Sequence, residues 1–438
     1  MNFLTDQIKP IYFKYLASAF GSALITSVYS IVDMAMVGQY QGPEGTAALA
    51  VVAPIWNIIF SLGLLMGIGG SILFATHRGI ASKKGDSENE YFSASIIGSL
   101  LLAAITWLMI LCFEKKLLVF FGASEGLLQL AAEYLAPVQM VFPSFLFVQM
   151  LAAFLRNDNN PVLATVGVLS GGIVNIFGDY FFVFVLNMGI RGAGLATAIG
   201  SVVSLIVMLF HFVSKKNTLK FVWPSQLPRK LKEIFITGFG TFFIDIAMGI
   251  LTILFNRQIM KYLGTNALSV YGIIVNISTF VQCCAYSVGQ AAQPILSVNY
   301  GARLGHRIRE TLKYALCSVT FFSILWTALA LLTPNLFVNI FMASTREILK
   351  IAPKIIGCYG LSFLLLPLNI FSTYYFQALL NPKAALIVSV ARGLMISGIL
   401  LYLLPIFAPD ALWLTMPFTE FLTSVYVVYQ LIQSVRKL

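Results

Sequence analysis

Residues 161–201 read PVLATVGVLSGGIVNIFGDYFFVFVLNMGIRGAGLATAIGS. Two apolar runs flank a short break at Asn187-Met188-Gly189. In the first run Gly171, Asn175 and Asp179 follow one another at intervals of four residues. That spacing stacks them on one face of a helix. Glycine lets a second backbone come close, so the pattern presents an amide and a carboxylate at a tight helix contact. Asp179 is surrounded in sequence by Ile176, Phe177, Tyr180, Phe181 and Phe182. A carboxylate in such a run needs a proton, a cation or a partner.

The composition says what kind of run this is. Of 438 residues, 59% are hydrophobic and only 10% charged, with a mean hydropathy of +0.87. Soluble chains carry roughly 25% charged residues. Apolar stretches of about 20 residues recur along the chain, continuous rather than alternating, which predicts membrane-spanning helices and not barrel strands. The fold class is therefore an all-α polytopic membrane protein. The start, MNFLTDQIKPIYFKYLAS, does not have the pattern of a cleavable signal. Five cysteines, all in apolar runs, argue against a disulfide framework. His77, His211 and His306 lie near charged loop segments and have no metal-ligand spacing, which predicts surface or interface positions. The formal net charge of +11 fits basic cytoplasmic loops, so a nucleic-acid partner is not expected.

Twelve spans are expected, near 11–38, 46–75, 91–112, 132–155, 162–186, 191–214, 233–262, 266–297, 309–332, 349–379, 383–407 and 411–435. On the side of the N-terminus this arrangement places nineteen lysines and arginines, among them Lys83 and Lys84, and eight on the other side; Arg392 stays inside a span. Both termini are then expected in the cytoplasm. The segment SKKNTLKFVWPSQLPRKLKE separates two halves, giving an N-lobe of residues 1–214, a basic cytoplasmic linker of 215–232 and a C-lobe of 233–438. Its Phe221, Val222 and Trp223 suit an interface with anionic headgroups, although a plain solvated loop would look similar.

The halves repeat. Gly45-Thr46-Ala47-Ala48-Leu49 matches Gly264-Thr265-Asn266-Ala267-Leu268, and Asn57 matches Asn276 at the same offset of 219. Gly67 and Gly79 match Gly289 and Gly301 at an offset of 222, and Pro161 matches Pro382 at 221. Such steady offsets predict a duplicated six-helix unit. Because each half has an even number of spans, the repeats are parallel, a common transporter plan.

At this point a family resemblance can be stated. Val32-Asp33-Met34-Ala35-Met36-Val37-Gly38, Arg156 with Pro161, Asn175-Ile176-Phe177-Gly178-Asp179 and Gly192-Ala193-Gly194-Leu195-Ala196-Thr197 together resemble the MATE (multidrug and toxic compound extrusion) transporters over nearly the whole chain. The resemblance implies two pseudo-symmetric six-helix lobes in the cell (inner) membrane. It implies a secondary antiporter, not an enzyme, that exports small amphipathic and often cationic organic compounds in exchange for Na⁺ or H⁺ without a cofactor. It places a cation-coupling site in the N-lobe on Asp33, Asn175, Asp179 and Thr197. A symmetric site in the C-lobe is not expected, because the repeat equivalents of Asp33, Asn175 and Asp179 are Thr252, Ile396 and Leu400.

The residues themselves point the same way. Ionisable groups inside spans cost at least about 2.5 kcal/mol and usually mark an ion path. Two acids in one dry site share a proton or hold a cation, and oxygen ligands from Asp, Asn and Thr suit a hard cation. The plainer readings are an interfacial acid for Asp33 and interhelical hydrogen bonding for Asn175 and Thr197. Asp245, Glu420 and Arg392 also lie in spans; they form a buried ion pair or face a substrate cavity. Met34 and Met150 could add an adaptable apolar wall, or simply pack in the core. A lipid-linked-precursor flippase would need a more cationic interior. An intramembrane aspartyl protease would need a Gly-x-Gly-Asp motif, and none accompanies Asp33 or Asp179. A channel would leave the repeat unexplained. The expected partners are small organic substrates and membrane lipids, and the expected state is a monomer.

Overall fold

The computed structural model describes residues 2–80, 87–341 and 346–438. Lys83 and Lys84, counted above among the basic residues of the N-terminal side, lie outside the described residues. Among the described residues the regular secondary structure is helical, with no strand. The helices are α1 (Ile8–Gly42), α2 (Glu44–Ile80), α3 (Glu88–Phe120), α4 (Glu125–Met140), α5 (Phe142–Asn157), α6 (Pro161–Val185) and α7 (Gly189–Val213). They continue with α8 (Leu227–Tyr262), α9 (Thr265–Gly301), α10 (Gly305–Leu332), the short α11 (Pro334–Phe341), α12 (Arg346–Ala378), α13 (Pro382–Phe407) and α14 (Pro409–Lys437). Eleven of them are long and apolar enough to cross a bilayer, and α4 with α5 makes a twelfth span bent by 61°.

Each break has a local cause. Gly42 separates α1 from α2 with φ 66°, a conformation that costs an L side chain energy. The bend between α4 and α5 falls at Val141, where Pro143 supplies no N–H to the turn before it and Ser144 instead donates from its hydroxyl to Val141 O at 2.6 Å. The break at 187–189 has both Asn187 (φ 53°) and Gly189 (φ 55°) in the left-handed region. Just before it, residues Tyr180–Val185 widen into π-type turns, and Ala391–Met395 of α13 do the same. Such turns rotate the side chains that follow and recur at functional positions.

Two compact units emerge, residues 17–238 (unit 1) and 2–16 with 239–438 (unit 2). Unit 1 holds six spans in the order α1, α2, α3, α4 with α5, α6, α7; unit 2 holds six in α8, α9, α10, α12, α13 and α14. In unit 2, Arg307 donates to Phe3 O at 2.8 Å and to Asp6 O at 2.6 Å, and Tyr12 donates to Ser318 Oγ at 3.0 Å. All five cysteines are free.

Candidate functional site

The tight helix contact foreseen at Gly171 exists. A Cβ on Gly171 would sit 1.9 Å from Ser204 Oγ and 2.4 Å from Gly200 O, and a Cβ on Gly200 would sit 2.7 Å from Gly171 O. The backbones of α6 and α7 therefore meet with no room for a methyl group. One turn further along α6, that contact sets Asn175 beside α7, where its Nδ2 donates to Thr197 Oγ1 at 3.1 Å. Gly194 does the equivalent for α4: a Cβ there would lie 2.1 Å from Tyr134 O. Tyr134 thereby reaches two helices at once. Its hydroxyl donates to Asp33 Oδ2 of α1 at 3.1 Å and lies 3.4 Å from Thr197 Oγ1.

Asp33, Asn175 and Thr197 are thus joined through Tyr134 into one network drawn from α1, α4, α6 and α7. Asp179 lies on the same face of α6, is 0% exposed, and is within electrostatic range of Asp33 and Tyr134. Four buried oxygens in this group have no hydrogen-bond partner among the described residues: Asp33 Oδ1, Asn175 Oδ1 and both carboxylate oxygens of Asp179. Buried polar atoms are nearly always satisfied, so four orphaned acceptors of one kind at one place call for an electrophile, either protons or a cation. Hard oxygen donors of this type fit an alkali cation.

A cavity of about 330 Å³ opens on Asp33 and Thr197, walled by Tyr29, Trp56, Phe60, Tyr134 and Phe145, with Met34 and Asn57 on its edge. A smaller space of about 50 Å³ shares Thr26, Tyr29, Phe60, Phe145 and Thr197 with it and reaches Asn175 between Gly171 and Gly200. The Trp56 and Phe145 rings meet edge to face at 4.5 Å between centroids. Carboxylate with aromatic faces is the chemistry that attracts an organic cation.

The remaining sequence candidates are placed differently. Met150 is fully buried, accepts from Ser99 Oγ at 3.1 Å and lies where Gly67 of α2 presses on α5, away from the cavity. In unit 2, Arg392 pairs with Glu420: Nε donates to Oε1 at 2.6 Å, and both side chains are buried. Asn369 of α12 donates to the other carboxylate oxygen of Glu420 at 2.7 Å and to its backbone carbonyl at 2.9 Å. Asp245 is half-buried and accepts from Tyr286 at 3.3 Å. Of the two alternatives for Glu420, the ion pair is what the structure contains.

Tyr134 escaped the sequence reading. Its signal was modest: a phenol one turn before Pro137, inside a span, needs a partner for its hydroxyl. His211, expected at a surface or interface, is fully buried, with Nε2 2.7 Å from Asp158 Oδ2 and Nδ1 3.1 Å from Asn160 Nδ2. Asp158 also accepts from Arg78 at 3.0 Å and from the backbone N–H of Thr218 at 2.8 Å. Burial pushes the Asp158 carboxyl upward, but the His211 and Thr218 hydrogen bonds and the Arg78 charge outweigh it and hold the group below the usual carboxylate range.

The sequence pattern of the MatE family matches residues 18–181 and again 239–403. The chain belongs to the MatE family. The two matches begin 221 residues apart (18 against 239), which is the spacing of the internal repeat. Among curated relatives, the multidrug export protein MepA of Staphylococcus haemolyticus is 24% identical over 387 residues, covering 88% of this chain and 84% of the relative. Among solved structures, the MATE multidrug transporter DinF-BH is 27% identical, with a TM-score of 0.89 over 98% of this chain and 96% of that one. An outward-facing multidrug resistance MATE transporter of the MOP superfamily superimposes with a TM-score of 0.90 at 20% identity, covering 100% and 98%. This MatE-family chain is a multi-pass protein of the cell membrane.

Proposed function

We propose that this MatE-family protein is a secondary active antiporter that exports amphipathic, often cationic, organic compounds, and that Asp33, Asn175, Asp179 and Thr197 form its cation-coupling site. One observation carries the reading: two buried acids leave three carboxylate oxygens without partners beside an aromatic-walled cavity. The names of MepA and DinF-BH support the substrate class.

The coupling follows from electrostatics. With both acids ionised and no cation, the network holds two like charges in a dry setting, which is costly. Entry of Na⁺, or of one or two protons, removes that cost. Asp179 offers both carboxylate oxygens, Asp33 Oδ1 and Asn175 Oδ1 offer one each, and Tyr134 fixes the remaining oxygen of Asp33. Thr197 Oγ1, held by Asn175 and close to Tyr134, positions α7 against the site. The filled and unfilled site prefer different helix arrangements, and the ion gradient acts through that difference alone. An organic cation in the 330 Å³ cavity meets Asp33 and the aromatic wall directly, so it competes with the coupling ion for the same charge.

The protein works as a monomer among membrane lipids, with both termini in the cytoplasm; nineteen basic residues against eight support that orientation. External labelling of a cysteine placed at Lys220 in intact cells should fail. The decisive test of the function is transport of a fluorescent organic cation by proteoliposomes under an imposed Na⁺ or H⁺ gradient. Gradient-dependent accumulation that vanishes in Asp179→Asn supports the antiporter, and gradient-independent movement in both proteins overturns it.

A further inference from the structure

The segment between α7 and α8 is neither helix nor free loop. It lies extended on unit 1, and its alternate backbone N–H groups are held by side chains. Thr218 N donates to Asp158 Oδ2 at 2.8 Å, Lys220 N to Asn89 Oδ1 at 2.9 Å and Val222 N to Ser93 Oγ at 2.8 Å. After Pro224, which has no N–H, Ser225 N donates to Glu90 Oε2 at 2.6 Å. The receiving side chains of Asp158, Asn89 and Ser93 are buried. Leu219 is buried against the unit, while the rings of Phe221 and Trp223 are exposed, at 57% and 76%. Those rings touch edge to face, 6.3 Å between centroids.

We propose that residues 214–226 form a docking strip for the headgroups of anionic phospholipids. Three observations select that occupant. The strip begins directly after a spanning helix whose end exposes Phe210 and Val213, so it lies at the depth of the bilayer boundary. It carries Lys215, Lys216 and Lys220, all exposed, and no acid; among the described residues none of the three is paired with a carboxylate. Its exposed large apolar side chains, Phe221 and Trp223, are aromatic, the residue type that settles at headgroup level, while the lysines beside them attract negative lipid. A plain solvated linker would not spend four side-chain acceptors on its backbone to keep a tryptophan facing out.

The strip can be tested without any transport assay, so its failure is separate from failure of the antiporter reading. The protein is reconstituted in mixed phosphatidylcholine and phosphatidylglycerol bilayers with bromine near the top of the acyl chains of one lipid or the other. The Trp223 signal is taken as wild type minus Trp223→Phe, the other four tryptophans cancelling. Quenching about threefold stronger with brominated phosphatidylglycerol is expected, because each lysine near the surface enriches anionic lipid several-fold. Lys215→Gln combined with Lys216→Gln and Lys220→Gln should remove the difference while quenching by brominated phosphatidylcholine persists. Equal quenching by the two lipids, no Trp223 signal at all, or a preference that survives the triple substitution would each overturn the proposal.

Discussion

The interiors of the two units solve the same electrostatic problem in opposite ways. Among the described residues, unit 1 buries Asp33 and Asp179 with no basic side chain bonded to either, and leaves three of their four carboxylate oxygens without partners. Unit 2 buries Glu420 against Arg392 and completes the carboxylate with Asn369. A buried acid that already has a guanidinium and an amide has little left to offer a passing cation. A buried acid pair with open valences has a strong need for one. One interior leaves its acids open, and the other gives its acid a guanidinium and an amide, the open valences there being donors, Arg392 Nη1 and Nη2, which do not attract a cation.

The largest effect should come from breaking the open site. Asp179→Asn removes one of the two like charges and with it the reason for a cation to enter. Ion-driven export in proteoliposomes should fall to background while membrane expression and substrate binding in detergent persist. Asp33→Asn should match it, and the double variant should be no worse than either, because residues acting as one unit lose their function once. Export at the wild-type rate by Asp179→Asn would move the coupling site to unit 2.

Unit 2 should answer to the same kind of substitution with instability instead of uncoupling. Glu420→Ala strands the Arg392 guanidinium in the interior, and breaking a buried pair from one side costs about 3–5 kcal/mol. Arg392→Met with Glu420→Met should recover most of that loss and retain coupled export. Thermal unfolding followed by fluorescence-detected size exclusion measures the first claim, and gradient-driven transport the second. If the double variant is stable but uncoupled, the contrast between the units is wrong.

How much of this contrast was legible in the sequence depended on range. The Gly171-Asn175-Asp179 spacing is local, and it gave the helix face and the close approach of a second backbone without a structure; that this backbone is α7 came from the fold. The duplication was legible because Gly45, Asn57, Gly67 and Pro161 recur in the second half at nearly constant offsets of 219 to 222. The pairing of Arg392 with Glu420 rather than Asp245 was not legible, since it depends on how α13 and α14 pack. Tyr134 and His211 were missed for a related reason. Each lies at the edge of a hydrophobic run, where a polar side chain reads as interfacial, and only the bend between α4 and α5 or the folded end of α7 turns it inward.

Tyr134 offers a graded probe of the open site. Tyr134→Phe keeps the ring against Trp56 and removes the hydrogen bond to Asp33 Oδ2. A hydrogen bond to a charged group contributes about 1.5 kcal/mol or more. If the coupling ion is Na⁺, for which the phenol holds Asp33 in place, its half-saturating concentration should rise roughly tenfold; if it is H⁺, the half-saturating proton concentration should fall by a similar factor, because the lost bond favoured the charged carboxylate, with the maximal export rate little changed in either case. An unaltered ion dependence would mean that the phenol is only a packing element.

The smallest effect tests whether the closed solution also operates at the edge of unit 1, where Asp158 is held by Arg78, His211 and Thr218 as Glu420 is held by Arg392 and Asn369. Because those partners keep the Asp158 carboxyl below its ordinary value in the folded protein, ionised Asp158 stabilises the fold at any pH above the unfolded-state value of about 4. That contribution fades as pH falls through the folded-state value, since protonation is then no longer resisted in either state. Asp158→Asn removes the group that titrates, so its own stability lacks this component at every pH. The gap in Tm between wild type and Asp158→Asn should be constant from neutral pH down to about pH 4 and then narrow on further acidification. The anchoring of the 214–226 strip supplies a second readout, because Thr218 N would lose its carboxylate acceptor: protease cleavage at Lys215 or Lys216 should be faster in Asp158→Asn. A gap that widens with acid, or a strip no easier to cleave, would show that Asp158 is not the closed counterpart of Glu420.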